Sequence, residues 1–135
     1  MNINIINKDN IYLLKKFIKL NDSNFFRYYH SRTIDVIRNH IVTIVLTLKD
    51  NIIGYGHLDF EKKIWLGICV LQKYRGKGYS KIILEFLFDY ASKKNIKEIN
   101  LSLDKNNIIA KYIYEKYDFK IIEVKKTIYY MKKIL

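Results

Sequence analysis

Three groups of residues in this chain are of types that do chemistry. The first is Gln72-Lys73-Tyr74-Arg75-Gly76-Lys77-Gly78-Tyr79-Ser80, which follows the apolar run Ile64–Leu71 and precedes Ile82, Ile83, Phe86, Leu87, Tyr90 and Ala91 on one helical stripe. A helix that starts beside a strand end offers unpaired N–H groups and a favourable dipole to an anion. Gly76 and Gly78 would let the backbone approach closely, and Arg75, Lys77 and Lys81 add charge. A phosphate cradle is one reading; a tight strand-to-helix turn with solvated basic residues is the other. Neither a Walker loop nor a dinucleotide fingerprint is present, since the glycine spacings differ.

The second group is Gly54-Tyr55-Gly56-His57-Leu58-Asp59, where alternation puts His57 and Asp59 on one face of a strand, with Glu61 continuing it. A carboxylate there could hold an imidazole that accepts a proton, or bind a substrate cation. The same residues could equally form the solvated face of a hairpin, with the glycines marking a bulge. The third group is Phe25-Phe26-Arg27-Tyr28-Tyr29-His30-Ser31-Arg32. Its rings could stack on a sugar or base while Arg27 contacts a phosphate, or they could pack on each other.

The elements that must position these groups follow from periodicity. Ile3–Ile6 reads as a strand. Asp9 precedes a helix carried by Ile11, Leu14, Phe17 and Ile18 to about Leu20, and a second helix is expected from Thr33 to Asn39. The β-branched run Ile41–Leu48 and the run Ile52–Phe60 flank Lys49-Asp50-Asn51 as a hairpin, and Ile64–Leu71 is a buried central strand. A helix follows the glycine loop, then a strand over Lys97–Leu103, a helix over Asn107–Tyr117 and strands over Phe119–Val124 and Thr127–Lys133. The order β-α-α-β-β-β-α-β-α-β-β makes a single α/β domain over residues 1–135, with a mixed, mostly antiparallel sheet flanked by helices.

Composition bounds the function. The chain has 135 residues, 50% hydrophobic and 28% charged, which suits one globular domain and excludes a two-domain enzyme. Lys+Arg 25 against Asp+Glu 13 gives a net +12, so anionic partners are preferred. No apolar run is long enough to cross a bilayer, the start lacks the pattern of a secretory signal, and the single cysteine, Cys69, excludes an internal disulfide. A cytoplasmic protein without membrane insertion and without a metal is expected.

Two motifs resemble the GNAT superfamily of acetyl-CoA-dependent N-acyltransferases. Arg75-Gly76-Lys77-Gly78-Tyr79-Ser80 is similar to the family's Arg/Gln-x-x-Gly-x-Gly/Ala loop after a central strand, with Ser80 in place of Gly or Ala. Asn107-Ile108-Ile109-Ala110, then Ile113-Tyr114-Glu115-Lys116-Tyr117-Asp118-Phe119, resembles Asn-x-x-Ala followed by Leu-Tyr-Glu-Lys-x-Gly-Phe, with Asp118 standing for a glycine in a left-handed helix end. The element order matches that fold throughout.

The resemblance implies an N-acetyltransferase that moves acetyl directly from acetyl-CoA to an amine, without an acyl-enzyme. It places the pyrophosphate on the amides of Gly76, Lys77, Gly78, Tyr79, Ser80 and Lys81 beside Arg75. The pantetheine arm would lie along Ile68, Cys69 and Val70, where strands splay, with Asn107 helping to hold it. Tyr114 matches the general acid for the leaving thiolate, although a core-facing tyrosine is the alternative. Cys69, in an apolar strand, reads as a core thiol rather than a nucleophile. His57 is the candidate base. Phe26, Arg27, Tyr28, Tyr29, His57, Asp59 and Glu61 are candidates for the acceptor site. The favoured acceptor is a small-molecule amine such as an anionic, nucleotide-linked amino sugar; a protein N-terminus or lysine, or a polyamine, is the alternative. A homodimer is compatible with this reading. A different class, a small basic RNA-binding module, would show affinity falling steeply with salt and no effect of acetyl-CoA.

Overall fold

The computed structural model describes all 135 residues as seven strands and three α-helices. β1 (Asn2–Ile5) leads into α1 (Ile11–Leu20), whose apolar stripe buries Leu14 and Phe17. Asp9 does not cap this helix. Instead Asn7 Oδ1 accepts from the N–H groups of Asp9 and Asn10, which turns the chain before the helix begins. The expected second helix is a 3-10 turn over Ile34–Asn39. Ile34 and Ile37 lie three residues apart, a spacing that a 3-10 turn satisfies as well as an α-helix does.

The β-branched run forms β2 (His40–Leu48), and β3 (Asn51–Glu61) returns through Lys49 and Asp50, both at positive φ (48° and 67°), as a two-residue hairpin turn requires. β4 (Lys63–Val70) completes an antiparallel meander. A short 3-10 turn, Gln72–Tyr74, joins it to α2 (Tyr79–Lys93), and β5 (Glu98–Asp104), α3 (Ile108–Lys116), β6 (Lys120–Val124) and β7 (Ile128–Ile134) follow. α3 ends on Asp118 at φ 69°, the left-handed conformation expected there.

The sheet runs β1-β2-β3-β4-β5-β7-β6, antiparallel throughout except between β4 and β5. α2 and α3 cover one face, burying Ile83, Leu84, Leu87 and Tyr114 against Ile44, Leu46, Leu101 and Met131. The close seat of α2 depends on Gly56, where a Cβ would lie 2.6 Å from Ile83 Cγ2. α1 covers the other face over β2 and β3, with Phe17 stacked on Tyr55 at 4.8 Å. No helix is long and apolar enough to cross a membrane.

Candidate active site

β4 and β5 share one ladder pair, Trp65 with Asn100, and diverge towards their C-terminal ends. The gap opens into a cavity of about 600 Å³. Its β4 wall is Leu66 to Val70, its β5 wall Ser102 to Asp104, and Asn107, Ala110, Ile113 and Tyr114 of the α3 region close one side. Ile68, Cys69 and Val70 line this gap, paired with β3 on one side and with no strand partner on the β5 side.

The glycine loop forms the far end. Gly78 sits at φ 84°, immediately before α2, and no side chain caps that helix. A Cβ on Gly76 or Gly78 would have no atom within 4 Å, so the space over the loop is open for a ligand. Uncapped N–H groups, the helix dipole and open space together suit a pyrophosphate. Arg75, Gly76, Gly78, Tyr79 and Ser80 line the cavity; Lys77 and Lys81 stand outside its wall. Arg75 is held to the strand end by its Nε donating to the Val70 carbonyl at 3.0 Å.

Asn107 lines the cavity and caps α3, its Oδ1 accepting from Ala110 N–H at 3.3 Å. Tyr114 reaches the cavity from α3, is 7% exposed and packs edge-on against Phe119 at 5.5 Å. Burial, with Cys69 nearby, raises its pKa, so its phenol holds its proton. Cys69 lies on the same wall with its pKa pushed up to about 12, chiefly by burial, and its Sγ donates to Asn21 Oδ1 at 3.6 Å. A thiol this protonated is no nucleophile.

On the α1 face of β3 lies a second, closed cluster. His57 is 2% exposed. Its Nε2 meets Asp59 Oδ2 at 2.9 Å and its Nδ1 meets the Tyr55 hydroxyl at 2.8 Å, which in turn lies 2.6 Å from the Tyr29 hydroxyl. Because the carboxylate accepts from Nε2–H, Nδ1 is an acceptor, so Tyr55 donates to it and accepts from Tyr29. His40 stacks on His57 at 4.4 Å and contacts the Tyr28 hydroxyl at 2.9 Å and Thr43 Oγ1 at 2.6 Å. Burial lowers both imidazole pKa values, that of His40 to about 3, and raises that of Tyr28 to about 12.

Sequence reasoning paired His57 with Asp59 as the structure does, but the ring does not line the cavity; it lies behind Gly67, where a Cβ would be 2.5 Å from His57 Cε1. The solvated-face reading of this strand is also corrected, since His57 and Asp59 are buried; only Glu61, at the strand end, is exposed. Of the aromatic segment, Phe26 packs among Phe17, Tyr28, Tyr29 and Tyr55, and Tyr28 and Tyr29 are tied to the buried cluster. Tyr28 and Tyr29 do not line the β4–β5 cavity, whereas Phe26, with Phe25, does. Arg27 is exposed and pairs with Asp104 at 3.4 Å across the cavity rim. His40, Thr43 and Tyr55 were not foreseen. Tyr55 shares the alternation of His57 and Asp59, a readable signal, whereas His40 meets Asp59 only through the β2–β3 register, which a bulge shifts between His40 and Val42.

The family model of the "Acetyltransferase (GNAT) family" matches residues 9–119. No curated protein matches the chain in sequence. Among solved structures, a GNAT-family acetyltransferase from Streptococcus pneumoniae superposes with a TM-score of 0.77 at 19% identity, covering 99% of both chains. PaiA N-acetyltransferase from Thermoplasma acidophilum, in complex with coenzyme A, gives 0.75 at 17% over 100% of both. A ribosomal-protein-alanine N-acetyltransferase from Brucella melitensis gives 0.77 at 13%, again over 100% of both. With a splayed β4–β5 cavity, an uncapped glycine-loop helix and a family match over most of its length, the chain belongs to the GNAT family and is an acetyl-CoA-dependent N-acetyltransferase.

Proposed function

We propose that the protein transfers acetyl directly to the primary amine of a small molecule carrying negative charge, with Tyr114 as general acid. The observation that carries this is the position of Tyr114, buried on the cavity wall beside Cys69 with its proton firmly held. The amine nitrogen attacks the thioester carbonyl and a C–N bond forms; as the C–S bond breaks, the leaving thiolate takes the phenolic proton, and the proton shed by the acylated nitrogen restores the Tyr114 phenol. Gly76 to Lys81 hold the pyrophosphate, Ile68 to Val70 and Asn107 the pantetheine arm.

Both nitrogens of His57 are engaged behind β4. His57 is therefore not the direct base in this reading. The amine enters neutral, its proton leaving to solvent at the open end of the cavity, and the rate rises with pH towards the pKa of each amine used. A net +12 favours an anionic acceptor over a polyamine. A nucleotide-linked amino sugar would be held chiefly by charge, with Phe26 on the cavity wall, since Tyr28 and Tyr29 are engaged in the buried cluster. The ribosomal-protein-alanine acetyltransferase among the structural neighbours supports a peptide α-amine as a second reading.

The test is Tyr114→Phe. Thiol release should fall by roughly 10²- to 10⁴-fold, as for loss of a general acid, while acetyl-CoA affinity holds. An unchanged rate removes Tyr114 from the mechanism.

A further inference from the structure

The closed cluster behind β4 has the donors of a coordination site. Across the β2–β3 hairpin Thr43 pairs with His57 and His40 with Asp59. His40 and Thr43 stand three residues apart, a separation that regular alternation would send to opposite faces. The bulge between His40 and Val42 turns His40 back onto the face of Thr43, His57 and Asp59. His40 then stacks on His57 at 4.4 Å, and one ligating atom from each of His40, His57 and Asp59 falls within 4.8 Å of the others. Donors on a shared tetrahedral ion stand about 3.3 Å apart, so the widest gap must close by roughly 1.5 Å, through ring tilt and carboxylate rotation. His57 Nε2 and Asp59 Oδ2 are already 2.9 Å apart.

Two features favour a cation there. Each imidazole presents Nδ1 to a hydroxyl, His40 to Thr43 at 2.6 Å and His57 to Tyr55 at 2.8 Å. A hydroxyl accepts as well as donates, so each can take an Nδ1–H and leave Nε2 as the ligand, the arrangement that orients metal-bound histidines. The other feature is Asp59, which is 5% exposed, has no hydrogen bond to Oδ1 and forms no ion pair with any lysine or arginine. A buried carboxylate with an unmatched oxygen is costly, and a divalent cation satisfies the charge and the lone pair together. Arg32 does not supply that charge: its guanidinium stacks on the Tyr28 ring at 4.4 Å and donates to the Tyr28 carbonyl at 3.0 Å.

We propose that Nε2 of His40, Nε2 of His57 and an oxygen of Asp59 bind a divalent transition ion of the zinc class. Two imidazoles with one carboxylate suit zinc, whereas magnesium and calcium take oxygen ligands. On binding, the Tyr28 hydroxyl, 2.9 Å from His40 Nε2, gives that nitrogen up to the ion. The His57 proton passes from Nε2 to Nδ1, Tyr55 accepts from Nδ1–H and turns its own O–H to Tyr29, and no net proton is lost. The ion stands behind Gly67, outside the β4–β5 cavity, so it takes no part in acetyl transfer; it ties the start of β2 to β3. No sequence spacing announces these ligands, since His40 reaches them only through the bulged register, and the proposal replaces the expectation of a chain without a metal.

The probe is Zn²⁺ itself, added to the full chain after dialysis against a chelator and competed against a chromophoric chelator, with Co²⁺ as the coloured substitute. One equivalent should bind, the melting temperature should rise saturably and fall back with EDTA, and Co²⁺ should give the visible absorption of a tetrahedral site. Asp59→Asn and His40→Phe, which keeps a ring against His57, should each lower Zn²⁺ affinity by at least roughly 100-fold; Thr43→Val, which removes only the hydroxyl behind His40, should lower it roughly 10-fold. The melting shift given by acetyl-CoA shows that each variant is folded. His40 is only half-buried, so His40→Phe decides the matter where Asp59→Asn does not fold. Affinity unchanged in these variants, as for an ion held by Cys69 or His30, would overturn the proposal. So would the absence of binding to the unsubstituted chain, or a melting rise with Mg²⁺ equal to that with Zn²⁺, since an oxygen-seeking ion has no need of the imidazoles.

Discussion

The β4–β5 cavity and the buried cluster behind it meet at Gly67 and are built from different materials. The cavity offers main-chain groups within an apolar wall: strand groups freed by the splay, N–H groups at the start of α2, and glycines that keep the space clear. The cluster is made of side chains, with Tyr29, Tyr55, His57 and Asp59 linked in one direction of hydrogen bonding and His40 stacked alongside. A main-chain site tolerates most side-chain changes around it, because its donors survive them. A side-chain network has no such tolerance, because each member satisfies the next.

The contrast is broken most directly at Gly78. Gly78→Glu adds a carboxylate where an anion must sit and forces a non-glycine residue to φ 84°. Acetyl-CoA affinity should fall by at least 100-fold, equivalent to about 2.7 kcal/mol, with the chain still folded; calorimetric titration measures it. On the other side, Tyr55→Phe leaves His57 Nδ1 without a donor and Tyr29 without an acceptor. Denaturant unfolding should show a loss of about 2–3 kcal/mol, with acetyl-CoA affinity unchanged. If that affinity falls in step, the two regions are one.

Gly67→Ala tests the shared wall, since its Cβ would press within 2.5 Å of His57 Cε1 rather than into the cavity. Stability should drop by about 1–2 kcal/mol and cofactor affinity by less than threefold. Acid gives the gentlest test. The two imidazoles have folded pKa values below their unfolded value, so below pH 6.5 the unfolded chain binds protons that the native cluster refuses. Their stabilising contribution is complete above pH 6.5 and is lost as pH falls towards the folded values, about 3 for His40. Stability measured from pH 7 to 4 should decline by up to about 1.4 kcal/mol per histidine for each pH unit below 6.5, a slope that Asp59→Asn should alter.

Much of this was legible in the chain. The β-branched run of β2, the apolar β4 and the strand–glycine–helix passage marked the sheet and the glycine loop that opens α2, because each pattern has few alternative folds. Lys77 and Lys81 were assigned to the loop by proximity in sequence, and neither lines the cavity: Lys77 lies in the bend before α2 and Lys81 in its first turn. The aromatic segment read as acceptor platform or as packing, the commoner outcome for such a run; Phe26 packs on Phe17 and Tyr55, which come from distant elements that only the fold brings over it, and also lines the cavity. Ser102 of the cavity wall went unnoticed although Asn100 and Ser102 alternate with Ile99, Leu101 and Leu103, a sign that one face of β5 is not core.

The single pair between β4 and β5 also shapes how the molecule comes apart. Strands from residues 2 to 70 are consecutive neighbours on one side of that seam, and strands from 98 to 134 lie on the other, so each half is knitted by short-range pairing while α2 spans the join. Such a seam is a natural border between cooperative units. Amide protons on the β5-facing edge of Leu66 to Val70 should exchange first, and a pantetheine arm lying along them would act as the missing rungs, fastening the two halves into one unit each time the enzyme loads its donor and releasing them when CoA departs.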